Sequence, residues 1–134
     1  MEKEFIPYEQ ALALKELGFD EECLAIYTTY STVNKRNYKN PVLKIVRQES
    51  QFTQKGVTKA PLYQQAFRWF REKYNLFGEI NLTTKQEDVK EFEFFVLDIN
   101  EPLFESDDYK KYKEAELACL EKLIEIVEEK NKKS

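Results

Sequence analysis

The sequence predicts an α+β protein, with a small antiparallel sheet of about three strands packed against two or three helices. Three observations carry this. Apolar residues recur at spacings of three and four in three separate segments, the mark of amphipathic helices. Between them lie runs rich in β-branched and aromatic residues, which suit strands. Glycine and proline are scarce, three and four in 134 residues, too few for the many tight turns of a β-sandwich. The length fits a single domain, 1–134, able to bury about two-thirds of its unfolded surface without staples.

The first helix is expected over residues 7–17. Pro7 suits a helix start, where a missing N–H costs nothing. Tyr8, Ala11, Leu12, Leu14 and Leu17 form an apolar face, and Gly18 can take the left-handed conformation that ends a helix. Phe19 would fold back on it. Residues 23–33 (CLAIYTTYSTV) read as a strand, with helix open for the first half. Residues 34–58 read as an irregular basic loop region, with a short strand near Val42, Leu43, Ile45 and Val46. Pro61 marks a second helix start. Leu62, Tyr63, Ala66, Phe67, Trp69, Phe70 and Tyr74 cover one side, and Gln64, Gln65, Arg68, Arg71 and Glu72 the other, ending near Asn75. Two strands follow, at 77–82 and 91–99, joined by a loop over 83–90. In the second, Phe92, Phe94 and Val96 alternate with Glu93, Phe95 and Leu97. Ser106 is an N-cap candidate for the last helix, with Asp107 and Asp108 in its first turn. Its buried stripe is expected to be Tyr112, Ala115, Cys119, Leu120, Leu123, Ile124 and Val127.

The modest net charge of −4 hides an uneven distribution. Residues 1–33 hold seven acids and two bases, net −5. Residues 34–74 hold ten bases and two acids, net +8. Residues 75–134 hold sixteen acids and nine bases, net −7. A basic middle between acidic ends points to an anionic partner, or to charge balance within the fold. Tyr38, Phe52, Tyr63 and Trp69 lie among the bases, as in single-strand binders whose bases stack on rings. The acidic ends oppose strong non-specific DNA binding.

The catalytic vocabulary is thin. There is no histidine, which excludes Ser-His-Asp and Cys-His catalysis and histidine-ligated metals. Cys23 and Cys119 lie ninety-six positions apart, which is no zinc pattern, and both fall on apolar stretches, as small core residues of a reducing compartment do. Gly18, Gly56 and Gly78 are isolated, so no phosphate-cradling loop is present. Glu91, Glu93, Asp98, Glu101, Glu105, Asp107 and Asp108 are dense but match no catalytic spacing; such a run is ordinarily a solvated face. No cofactor and no metal are expected. Residues 1–5 (MEKEF) lack a basic region followed by an apolar run, and no stretch approaches the ~20 apolar residues of a membrane span; the expectation is a cytoplasmic protein with no membrane association.

Three segments carry a resemblance: residues 5–20 (FIPYEQALALKELGFD), 60–74 (APLYQQAFRWFREKY) and 114–127 (EAELACLEKLIEIV). Together they are similar to a family of short uncharacterised proteins from bacteriophages and Bacteroidetes. The resemblance implies a phage or mobile-element accessory role in a bacterial cytoplasm, and it carries over no activity, cofactor or functional residue.

The function expected is therefore that of a non-enzymatic binding protein with a protein partner. Its candidate surface is Tyr63, Gln64, Arg68, Trp69 and Arg71, since Trp, Tyr and Arg dominate interface hot spots. The alternatives are nucleic-acid binding through the basic segment 34–74 and small-ligand binding in a pocket between helix and sheet. Gln64, Gln65, Arg68 and Arg71 before two strands also suggest a recognition helix and wing, although the helix that should precede them is not visible in 34–58. A homodimer through an exposed sheet edge is compatible with the pattern.

Overall fold

The structure, a computed structural model, describes residues 2–86 and 89–133. The fold is α+β, as expected, but its strands form two three-stranded antiparallel sheets. Backbone contacts gather the chain into two compact units, Met1–Leu62 and Tyr63–Ser134.

In the first unit, helix α1 spans Tyr8–Glu16 and Pro7 occupies its N-cap position. The helix ends as its sequence dictates. Gly18 sits at φ 98°, its N–H donates to the Lys15 carbonyl at 3.1 Å, and the Phe19 N–H donates to the Leu14 carbonyl at 2.9 Å. This paired closure satisfies carbonyls that the last helical turn leaves open, and it turns Phe19 back into a buried position. Strands β1 (Ala25–Ser31), β2 (Arg36–Ile45) and β3 (Val57–Ala60) form a sheet in the order β2–β1–β3. Ala25 pairs with Ile45 on one side and Ala60 on the other. Phe5, Ala25 and Ala60 form a core cluster, flanked by Tyr27, Leu43 and Leu62. The Tyr27 hydroxyl donates to the Ile6 carbonyl at 2.7 Å, so this ring buries apolar area while keeping its polar tip satisfied.

Residues 34–58 are not an irregular loop. They contain the ten residues of β2, a 3-10 turn at Glu49–Thr53 and the start of β3. The expected short strand around Val42 is only the second half of β2. The physical reason is exposure: β2 is an edge strand with no buried residue. It needs no alternating apolar pattern, and it tolerates Pro41 because an edge leaves some N–H groups unpaired. Gly56 (φ 72°) lets this segment approach β1; a Cβ there would lie 2.5 Å from Thr29 Oγ1.

In the second unit, α2 spans Tyr63–Tyr74. It ends where Asn75 takes φ 54° and donates its N–H to the Arg71 carbonyl at 3.1 Å, the left-handed cap that asparagine can supply. Strands β4 (Phe77–Gln86), β5 (Val89–Leu97) and β6 (Pro102–Glu105) follow in sheet order β4–β5–β6. The loop expected over 83–90 is largely strand: Thr83 pairs with Glu91 and Gln86 with Val89, while residues 87–88 lie outside the described ones. Phe94 and Val96 point into the core, as the alternation predicts. The β5–β6 turn is fixed by Asp98, whose Oδ1 accepts the N–H groups of Asn100 (2.7 Å) and Glu101 (2.8 Å). These backbone bonds hold its carboxyl below the usual pKa.

Helix α3 begins at Tyr112, not after Ser106, and runs to Lys132. Ser106 extends the β pairing instead. Its N–H donates to the Phe94 carbonyl at 3.0 Å, and its Oγ accepts the Phe94 N–H at 2.8 Å. Phe92 and Tyr109 then form a further bridge. The expected stripe from Ala115 to Val127 is buried, but Tyr112 is exposed and Glu116 is buried in its place.

Gly78 on β4 lies directly against α3. A Cβ there would lie 2.7 Å from Cys119 Sγ and 3.2 Å from Leu123 Cδ1. Gly78→Ala is expected to destabilise by about 1–3 kcal/mol through overpacking. Combined with Cys119→Ala, the loss should fall short of the sum of the single variants by about 1 kcal/mol. Urea unfolding of the four proteins measures it, and strict additivity would show that Cys119 is not what the added methyl strikes.

Both cysteines are free and buried, and burial pushes each thiol up to about 12. At pH 8 both thiols stay protonated, and the thiolate is the reactive form. Native protein should therefore resist Ellman's reagent, and guanidinium-unfolded protein should release two equivalents. A raised thiol pKa contributes stability that is intact below the ordinary value of 9.0 and is lost as pH climbs towards about 12.

Candidate functional site

The residues expected to form the binding surface all lie on α2, but they do not share one face. Tyr63 and Trp69 are each 5% exposed. The Trp69 ring meets Phe70 edge-on at 5.1 Å and Tyr74 at 5.4 Å, while Tyr63 lies 6.3 Å from Phe67. The expectation that both rings act as surface contacts is corrected: they belong to the wide apolar stripe of the helix, and little ring is left for a partner. Gln64, Arg68 and Arg71 are exposed. They recur at i, i+4 and i+7, which is one helical face.

Gln64 and Arg71 line a cleft of about 310 Å³ with Tyr112 and Glu116, over a floor of Phe67, Gly78 and Ile80. Sequence reasoning misses Glu116, because a glutamate on α3 looks like solvated surface. Its side chain is only 8% exposed and its Oε1 accepts from Lys113 Nζ at 2.9 Å. The same ammonium stands 5.0 Å from the Tyr63 ring, so the buried carboxylate keeps a charged partner. As a recognition helix, α2 is poorly supported: the hairpin after it carries Glu79, Glu91 and Glu93, and residues 34–58 place a strand where a helix should precede it.

The basic segment divides between the two units, with Lys35, Arg36, Lys39, Lys44, Arg47, Lys55 and Lys59 in the first and Arg68, Arg71 and Lys73 on α2. In the first unit it forms a defined surface. Lys35, Arg36, Lys39, Lys44 and Arg47 are exposed along β2 and its flanks, and rings lie among them. Lys44 Nζ donates to the Tyr38 hydroxyl at 3.2 Å and stands 5.4 Å from that ring. The hydrogen bond from Lys44 holds the Tyr38 hydroxyl below its ordinary pKa. Lys55 stands 4.8 Å from the Tyr30 ring. Ser31, Asn34, Arg36, Asn37, Tyr38 and Lys39 line a cleft of about 300 Å³ at the β1–β2 turn. Tyr30 escapes a sequence reading because a tyrosine inside a strand ordinarily reads as core; the register shift between Thr28 and Tyr30 is invisible in the sequence.

Among the described residues, no cluster of three or more His, Cys, Asp or Glu side chains gathers to hold a metal ion, and no helix is long and apolar enough to cross a membrane. Comparison with protein-family models, curated proteins and solved structures finds no match to this chain.

Proposed function

We propose that this chain is a non-enzymatic binding protein whose working surface is the basic outer edge of the first sheet, and that its ligand is single-stranded nucleic acid. The observation that carries this reading is β2 itself. Ten residues of exposed edge strand present Arg36, Lys39 and Lys44 with Tyr38 between them. Lys35 precedes it, and Tyr30, with Lys55 4.8 Å from its ring, lies on the neighbouring strand β1 opposite Asn37. Strand-binding grooves combine these two ingredients, cations that follow the backbone and rings on which bases stack.

Binding to a labelled twelve-nucleotide single strand, followed by fluorescence anisotropy, is the test. If four or five phosphates are neutralised, affinity should fall roughly 50- to 130-fold between 50 and 200 mM salt, from a slope of about −0.7 per phosphate. An absence of binding even at low salt would end the reading. It would leave the lysines and Pro41 as the guard that exposed sheet edges commonly carry.

A protein partner is the second reading. Its support is that β2 pairs with β1 on one side only, so a partner strand could add to the open edge. That association would rest on backbone hydrogen bonds and depend weakly on salt. A second copy of the chain added at this edge would be a homodimer, visible by sedimentation.

A further inference from the structure

We propose that the first unit also carries a small-molecule site: a pocket between the C-terminal end of α1 and β3 that takes an organic monoanion with a flat apolar body, its carboxylate held by Lys15 and Lys59. The cavity measures about 340 Å³, within the range of small-ligand pockets. Ala11, Phe19, Phe52 and Val57 give it apolar walls, and Gly18 also lines it.

Each ammonium is tethered to the wall by one backbone carbonyl. Lys59 Nζ donates to the Asp20 carbonyl at 2.7 Å and stands 5.3 Å from the Phe52 ring. Lys15 Nζ donates to the Val57 carbonyl at 3.4 Å. Each ammonium has three donors, so each keeps N–H groups for a ligand after these bonds. The helix C-terminus carries partial negative charge, which the two ammonium groups must outweigh. Here the carbonyls of Leu14 and Lys15 are already occupied by the closure through Phe19 and Gly18. Asp20 is the third charged group on the wall, which leaves a surplus of one positive charge and selects a monoanion over a dianion. The β2 surface shares none of these residues, so the two proposals stand or fall separately.

The probe is naphthalene-2-carboxylate, titrated into the full chain and followed by ¹H–¹⁵N NMR. Saturable shifts are expected at Lys15, Gly18 and Val57, with Kd of about 1 mM or tighter for a ligand of this size. The neutral naphthalene-2-carboxamide should bind about fivefold more weakly, as should the carboxylate to Lys15→Met or Lys59→Met protein, an effect typical of a partly exposed ion pair. Lys15 is exposed, so its replacement leaves the fold intact and keeps the test valid if Lys59→Met is unstable. Equal affinity for carboxylate and carboxamide would overturn the proposal. So would shifts confined to other residues, or no saturation by about 10 mM.

Discussion

Leu123→Ala is expected to destabilise the protein by about 3–5 kcal/mol, the upper part of the range for buried leucines. Leu123 is fully buried in the α3 stripe with Leu120, Ile124 and Val127 around it in sequence. The cost of such a truncation depends on how far the surroundings can collapse into the space. Collapse from the β4 side is limited, because the strand meets α3 at a glycine: the position a Gly78 Cβ would take is 3.2 Å from Leu123 Cδ1. The strand has no side chain there to swing into the cavity, and its backbone is held by pairing with Val96. Urea unfolding should show the midpoint falling by more than about 1 M with little change in slope. A loss under about 1 kcal/mol would mean that α3 packs on β4 more loosely than the geometry states.

The features legible in the sequence are those whose cause is local. α1 ends at Gly18 because one residue without a Cβ decides the closure, and residues 14–19 contain every group that takes part. The α3 stripe from Ala115 to Val127 is legible because its period repeats over several turns. β2 is not, because an exposed edge strand carries no apolar alternation; its pairing with β1 is a fact about β1 as much as about itself. Ser106 looks like an N-cap because it is followed by two aspartates. The competing partner is the backbone of Phe94, twelve residues away, which no local pattern announces. The site suffers in the same way. Gln64, Arg68 and Arg71 form the polar face that their spacing predicts, but Tyr63 and Trp69 do not join it, because the wide apolar stripe of α2 takes them in. Glu116 and Tyr30 matter through neighbours that only the fold supplies.

Arg36→Glu with Lys39→Glu is expected to weaken single-strand binding roughly 100-fold at 50 mM salt, at about tenfold for each phosphate left without its cation. Both residues are exposed and line the cleft beside Tyr38, so stability should change little. The salt slope should also become shallower by about 1.4, two phosphates at 0.7 each. That second readout matters, because a chain of net charge −4 repels phosphate at long range whatever its local surface does. Lys130→Glu with Lys133→Glu on the α3 end is the matched control, since each reversal subtracts two charges and both pairs therefore change the net charge equally. A local site predicts a large loss for the β2 pair and a small one for the α3 pair. Equal losses would show that overall charge governs the affinity and that β2 has no special part in it. Rings supply the remaining distinction: Tyr38→Ala should cost about 1–3 kcal/mol per stacked base without altering the salt slope, because stacking displaces no counterions. A variant that loses slope on removal of Tyr38 would assign the ring to orienting Lys44, its partner at 3.2 Å, and not to the bases.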